Sequence, residues 1–221
     1  MKFDISKRLP EVDEAIAKTD NPRHLAILNN YVRHAHLEVM GLWHGIVAPD
    51  MMVPHPVYRF HSQAGLRVID GMQAVQNEYA SYAEQGSSVI YHTEGQIAVK
   101  DDGFLTEYVS HRFWPGWILR NAGDDIDDPD ATYLVSNTQA MWWPYDELGR
   151  VKEERVYRGA DRSIRKCDPA EVITAAEARE KLLPLTPPVW VIGQPKPDWQ
   201  PGQIVPYATS LEEAHAMALY R

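Results

Sequence analysis

Apolar positions recur at helical spacing in the first part of the chain and at alternate positions through its middle. Leu25, Leu28, Val32, Ala35, Val39, Leu42 and Ile46 form one stripe. That spacing predicts an amphipathic helix of about six turns, bent near Gly41 or Gly45. Asp20-Asn21-Pro22 starts it with a capping side chain ahead of a proline, and Pro49 ends it. A shorter helix over 10–18 precedes it, with Pro10 in its first turn. MMVPHPVYRF then reads as a short strand whose prolines place it at an edge or a bulge. Asp70 is expected to cap a further helix, GMQAVQNEYASYAEQ, closed by Gly86, with Met72, Val75, Tyr79 and Tyr82 as its buried stripe.

After Gly86 the period changes to two. Residues 87–100, 104–114, 131–145 and 151–165 read as long strands. Asp101-Asp102-Gly103 turns the first pair, Glu147-Leu148-Gly149 turns the second, and the acidic loop GDDIDDPD lies between the pairs. Helices followed by a run of antiparallel strands predict an α+β fold rather than a parallel sheet. From Asp168 the composition shifts. Thr174 and Glu177 form a capping box for a helix ending near Leu183, residues 184–206 are a proline-rich extended arm, and Ser210 with Glu213 opens a short last helix. The expected organisation is one domain over residues 1–166 and a C-terminal extension over 167–221.

Composition narrows the function. The 221 residues carry a formal charge of −9, and a binder of nucleic acid or of an anionic membrane would show a basic face, so neither partner is expected. One cysteine, Cys167, allows no intrachain disulfide and no cysteine-based zinc site. No signal-peptide-like run and no stretch near the roughly 20 apolar residues of a membrane span occurs, so a cytoplasmic protein is expected. Seven Trp and eleven Tyr, many on strands beside histidines, suit an aromatic-lined pocket.

Tyr31 on the long helix can donate a hydrogen bond to a developing oxyanion, or be a core tyrosine with a satisfied hydroxyl. His92 shares a strand face with Ile90, Glu94 and Gln96. If that face points inward, Glu94 can orient the imidazole; if outward, His92 is a surface residue. His55 shares a face with Val53, Val57 and Arg59, beside prolines that could equally leave it exposed. His111 and Arg112 point to opposite faces, so only one lines a pocket without a bulge. Tyr108, Trp114, Asn137 and Trp143 complete the candidates for substrate contact. His34 and Glu38 stand at i, i+4 and read as an ion pair or a metal pair. HExxH, GxGxxG and GxxxxGK are absent, so no metal and no cofactor is expected.

The order of elements, together with the helix carrying Tyr31, the strand DMMVPHP, the helix GMQAVQNEYASY and the hairpin DELGRVKEERVYRG, resembles the NTF2-like superfamily and its SnoaL-like members over about residues 10 to 166. The resemblance implies an open cone, with a strongly curved antiparallel sheet wrapped around helices and an apolar pocket. In ketosteroid isomerases of this superfamily a helix tyrosine polarises the substrate oxygen and a strand aspartate moves the proton. Tyr31 matches that tyrosine, His55 falls at the aspartate, and Met141 lies near the second acid. In scytalone dehydratases a helix tyrosine works with two strand histidines; Tyr31 and the His92 of YHTEG match, with His111 as the second imidazole. Lyases that release formaldehyde from lignin-derived aromatic dimers are similar in size, cofactor independence and aromatic pocket. The resemblance thus implies a cofactor-independent lyase acting on a small aromatic, phenolic, lignin-derived substrate. Loss of a hydroxyl through a quinone methide would be followed by proton loss or release of formaldehyde. The implied catalytic residues are Tyr31, His55 and His92, and the substrate contacts are Arg59, Tyr108, His111, Arg112, Trp114, Asn137 and Trp143. An isomerase or polyketide cyclase and a non-catalytic binding or assembly protein are the alternatives. Trp190 and Trp199 on the arm lead to the expectation that it packs on its own or a neighbouring subunit, in a homo-oligomer such as a dimer or trimer.

Overall fold

The computed structural model describes residues 2–219; Met1, Tyr220 and Arg221, which the expected ranges include, lie outside the described residues. Helices α1 (Pro10–Lys18) and α2 (Pro22–Val39) each begin with proline, and the Asn21 side chain accepts from the backbone N–H groups of Arg23 and His24. α2 ends at Val39, well before Ile46. Gly41 adopts a φ of 68°, and Leu42 N–H donates to Leu37 O at 2.8 Å, the closure a left-handed glycine permits. Leu42 and Ile46 are still buried, on either side of a 3₁₀ turn over Trp43–Gly45. The stripe marks burial correctly, but its last part is not helix.

Strands β1 (Met52–Ser62) and β2 (Gly65–Asp70) form an antiparallel hairpin. Asp70 therefore ends a strand instead of capping a helix, and Gly71 (φ 86°) leads into α3 (Met72–Glu84). β3 (Ile90–Lys100), β4 (Gly103–Pro115), β5 (Thr132–Pro144) and β6 (Val151–Arg158) are the long strands, and α4 (Gly116–Asn121) follows β4 where no helix was expected. The sheet order is β2-β1-β6-β5-β4-β3. β1 is thus not an edge; its prolines fall where the parallel β1–β6 register shifts between Met52 and Val57, which is the bulge alternative. The last strand is split. β6 pairs with residues 139–142 of β5, and β7 (Ser163–Lys166) pairs with residues 133–136.

The fold is α+β, a curved, unclosed sheet around helices. Its inner face carries Tyr58 and Phe60 of β1, Phe104, Thr106, Tyr108 and Ser110 of β4, Met141 and Trp143 of β5 and Val156 of β6, all buried. Tyr31 of α2 and Val75 and Tyr79 of α3 pack against that face. No described helix is long and apolar enough to cross a membrane.

Beyond β7, Thr174 caps α5 (Ala175–Leu182) through the Glu177 N–H, then the arm runs to α6 (Leu211–Leu219). The arm lies on its own domain. Its prolines lack N–H groups and cannot join a ladder, so its carbonyls need other donors. α2 supplies them: Arg33 donates to Pro187 O (2.8 Å) and Pro206 O (3.3 Å), and Asn29 to Pro188 O (2.6 Å). α2 is consequently covered on both sides, with Tyr31, His34 and Ala35 toward the cone and Val32, Arg33 and His36 under the arm.

Candidate active site

Glu38 of α2, Arg112 of β4 and Glu154 of β6 converge inside the cone. All three line two adjoining voids of about 30 and 20 Å³. Tyr31, His34, His92, Tyr108 and Arg8 complete the first, and Tyr58, Glu78, Tyr79 and Tyr82 the second. Each void has room for a water or two and not for an aromatic ring, which needs roughly 150 Å³. Arg112 also lines the cone's mouth, a cavity of about 170 Å³ walled by Trp114, Asn137, Gln139 and Arg158 beneath the tip of the β1–β2 hairpin. That volume takes one ring.

Charge inside the cone is displaced from its ordinary balance. Burial raises the Glu38 carboxyl, with Arg112 and Arg8 opposing the rise. Burial, then repulsion from Glu38, pushes Glu154 up to about 8. Both carboxyls keep some accessible surface and line the voids, and desolvation is still the largest cause of each shift. Glu154 is therefore a proton carrier at neutral pH, held beside an arginine. The histidines move the other way: burial lowers His34 to about 3, and His92 to about 4 despite its hydrogen bond to Glu11. Both imidazoles are neutral at pH 7 and can accept a proton. Tyr31 is raised well above the ordinary phenol value by burial, so it stays a donor.

His92 is oriented by a device that spans two elements. β3 bulges between Thr93 and Gln96, where Glu94 takes a φ of 56°. The bulge brings Gly95 against α1, and a Cβ on Gly95 would lie 2.5 Å from the Glu11 carboxyl. Glycine thus lets Glu11 reach inside, where its Oε1 stands 3.4 Å from His92 Nδ1. The imidazole stacks on Tyr108 with centroids 3.6 Å apart. A carboxylate at Nδ1 favours the N–H there and leaves the Nε2 lone pair for chemistry. Glu94, expected to play this part, is exposed at the bulge.

Around these voids, buried polar atoms lack hydrogen-bond partners among the described residues: Arg8 Nη1, Glu11 Oε2, His34 Nδ1, Ser110 Oγ, Arg112 Nε and Arg158 Nε. Buried polar groups in folded proteins are nearly always paired, so such a concentration marks a surface shaped for something polar to enter. His34 is satisfied on one side only, through Nε2 to the Tyr79 hydroxyl (2.7 Å), which in turn meets the Tyr58 hydroxyl (3.0 Å). Among the described residues it makes no ion pair with Glu38, one of the two readings the i, i+4 spacing suggested. Among the described residues no three His, Cys, Asp or Glu side chains group as metal ligands.

The structure brings Tyr31, His92, Tyr108, Arg112 and Trp143 to the inner void and Trp114 and Asn137 to the mouth. It does not bring His55, Arg59 or His111. The face of β1 that carries His55 and Arg59 points outward, because Tyr58 and Phe60 take the inner positions. His55 is exposed and pairs with Asp70 at 2.8 Å, and Arg59 pairs with Glu153 at 2.6 Å. His111 lies on the convex face between Thr93 and Ser136, both at 2.8 Å, under Phe3. Arg112 is the neighbour that faces in. Glu38 was foreseen only as a partner of His34, and Glu154, Arg8, Glu11 and Arg158 were not foreseen. Glu38 had a legible signal, a carboxylate seven residues after Tyr31 on the same helix face. Glu154 had a weaker one, alternation in phase with Val156.

No protein-family model and no curated protein matches the chain. Solved structures do. One is described as a SnoaL-like polyketide cyclase from Jannaschia sp. CCS1, 16% identical over 64% of this chain and 90% of that one, with a TM-score of 0.46. An NTF2-like protein from Anabaena variabilis ATCC 29413 is 14% identical over 65% of this chain and 95% of that one, TM-score 0.46. Hexachlorocyclohexane dehydrochlorinase LinA-type3 from Novosphingobium barchaimii LL02 is 9% identical over 67% of this chain and 92% of that one, TM-score 0.44.

Proposed function

We propose that this protein is a cofactor-independent lyase acting on a small phenolic substrate of the lignin-derived class, with its own side chains moving the protons. The observation that carries the proposal is the convergence of Glu38, Glu154, His34, His92, Tyr31 and Arg112 on one connected set of voids. A binding module needs an apolar lining and one anchor; a lining made mainly of titratable groups with displaced proton affinities suits acid–base catalysis.

The substrate ring rests in the mouth against Trp114, its phenolic oxygen toward Arg112 and Arg158 and its side chain toward the carboxyls. Glu154, protonated at neutral pH, gives its proton to the benzylic hydroxyl as the C–O bond breaks. Electron release from the phenolic oxygen, bound as the phenolate against the two arginines, leaves a neutral quinone methide and water. Neutral His92, through Nε2, takes a proton from the adjacent carbon, giving the dehydrated product. If it takes the proton of a terminal hydroxymethyl group instead, the C–C bond breaks and formaldehyde leaves. Tyr31 donates to oxygen as charge develops.

The test is a panel of 4-hydroxyphenyl diols incubated with enzyme and no added cofactor, read by ultraviolet change and by formaldehyde release. Turnover is expected, with a loss of roughly 10²–10⁴-fold in His92→Gln and Glu154→Gln and suppression when the phenol is O-methylated. Absence of turnover across the panel, or near-normal rates in both variants, would overturn the proposal.

A further inference from the structure

A cavity larger than the voids and the mouth of the cone lies outside it. It measures about 420 Å³ and lies between α1, α2 and the arm. This is within the ~300–1,000 Å³ of small-molecule sites, and it holds a molecule of one or two rings. Its walls are chiefly apolar: Ile16 of α1, Leu25 and Val32 of α2, and Pro187, Trp190 and Trp199 of the arm. The two indoles are fixed. Trp190 Nε1 donates to Gln194 O at 3.1 Å and Trp199 Nε1 to Gln203 O at 2.9 Å, so their polar edges are occupied by the arm's own turns and their faces remain for contact.

Few polar groups reach this cavity, and their balance is positive. Arg8 is 2% exposed and its Nη1 has no partner among the described residues. Lys196, its Nζ 5.9 Å from the Trp190 ring centroid, has no ion-pair partner among the described residues. Asp13 opposes them, with a carboxyl that burial makes harder to ionise. His36 is held neutral, lowered to about 3 by burial, while its Nδ1 meets Thr186 Oγ1 at 3.1 Å. A buried guanidinium with a free N–H, a lysine at the rim and aromatic faces between them are complementary to a flat ring bearing one negative charge.

We propose that the cavity under the arm is a binding site for a small planar aryl carboxylate, separate from the acid–base cluster of the cone. Arg8 lines both cavities, so the two sites are neighbours through one side chain.

The experiment is a titration of the full-length protein with 2-naphthoate, followed by tryptophan fluorescence. Saturable quenching is expected. Trp199→Ala should weaken it about tenfold, by loss of a stacking face, and Lys196→Gln about threefold, the scale of one exposed charge pair. Trp114→Ala, at the mouth of the cone, should leave it unchanged. Lys196 is exposed, so its replacement does not threaten folding. The cationic analogue 2-naphthylmethylammonium should bind much more weakly. Lack of saturable binding, binding lost with Trp114→Ala but retained in both arm variants, or equal binding of the cation would overturn the proposal. Since the readout is binding and not turnover, it fails or stands independently of the catalytic reading.

Discussion

Replacing Glu154 with Gln should flatten the pH dependence of stability. The folded-state carboxyl titrates near 8, against 4.5 when solvated. The folded state therefore holds its proton more tightly than the unfolded chain does. Stability falls as pH rises through the window between these values, and the loss is complete above the folded value. At ~1.36 kcal/mol per pH unit, ionising Glu154 in place weakens the fold by about 5 kcal/mol in full, and by about 4 kcal/mol between about pH 5 and pH 9. Gln resembles the protonated carboxyl in shape and does not titrate. Glu38, raised in the same sense, and the histidines, lowered in the opposite sense, titrate in both proteins, so the difference between wild type and variant reports Glu154 together with its repulsion of Glu38. Urea unfolding at the two pH values measures it. The variant should gain about 4 kcal/mol relative to wild type on going from the acid to the alkaline condition. A difference that stays constant to within about 1 kcal/mol would mean that Glu154 is ordinarily solvated, and its place as the proton donor would fall with it.

Activity should follow a bell, with limbs near 8, where Glu154 loses its proton, and near 4, where His92 gains one; a flat kcat/KM profile across that range would remove both from the mechanism. His55→Ala and His111→Ala should turn over within about threefold of wild type, because both side chains sit on the convex face; a loss on the scale expected for His92→Gln would show that the outer face is part of the chemistry. Gly95→Ala should lower the unfolding free energy by about 1–3 kcal/mol, since its methyl meets the Glu11 carboxyl; an unchanged denaturant midpoint would show that Glu11 swings aside without cost.

The course of the chain was legible wherever one periodicity ruled one element. α1, α3 and the β3–β4 and β5–β6 hairpins lie close to where apolar spacing put them, and Asn21 and Thr174 cap as their side chains imply. The reading failed where spacing and conformation part. Leu42 and Ile46 keep their burial after the helix stops, because a left-handed glycine redirects the backbone without exposing the stripe. β2 escaped notice because most of its residues are exposed, leaving no apolar alternation to see. For the site, alternation gave pairs of faces but not which was concave. His92 and Arg112 fell on the inner choice, while His55, Arg59 and His111 fell on the outer. Glu11 was out of reach for a different reason. It acts through a bulge in a strand some eighty residues away, and nothing local to either segment announces the meeting.

The double coverage of α2 imposes an order on the chain's birth. During synthesis the helix emerges early, and its cone-facing side can be covered as the strands follow it. Its other side, with Val32, His36 and the donors of Asn29 and Arg33, must wait for residues 184–206, which leave the ribosome after all of the strands. Until then the nascent chain presents an apolar strip, the kind of surface that chaperones hold and proteases test. A stop codon ahead of the arm would leave the whole sheet encoded and its main helix uncovered. Quality control of this protein is thereby written into the arm.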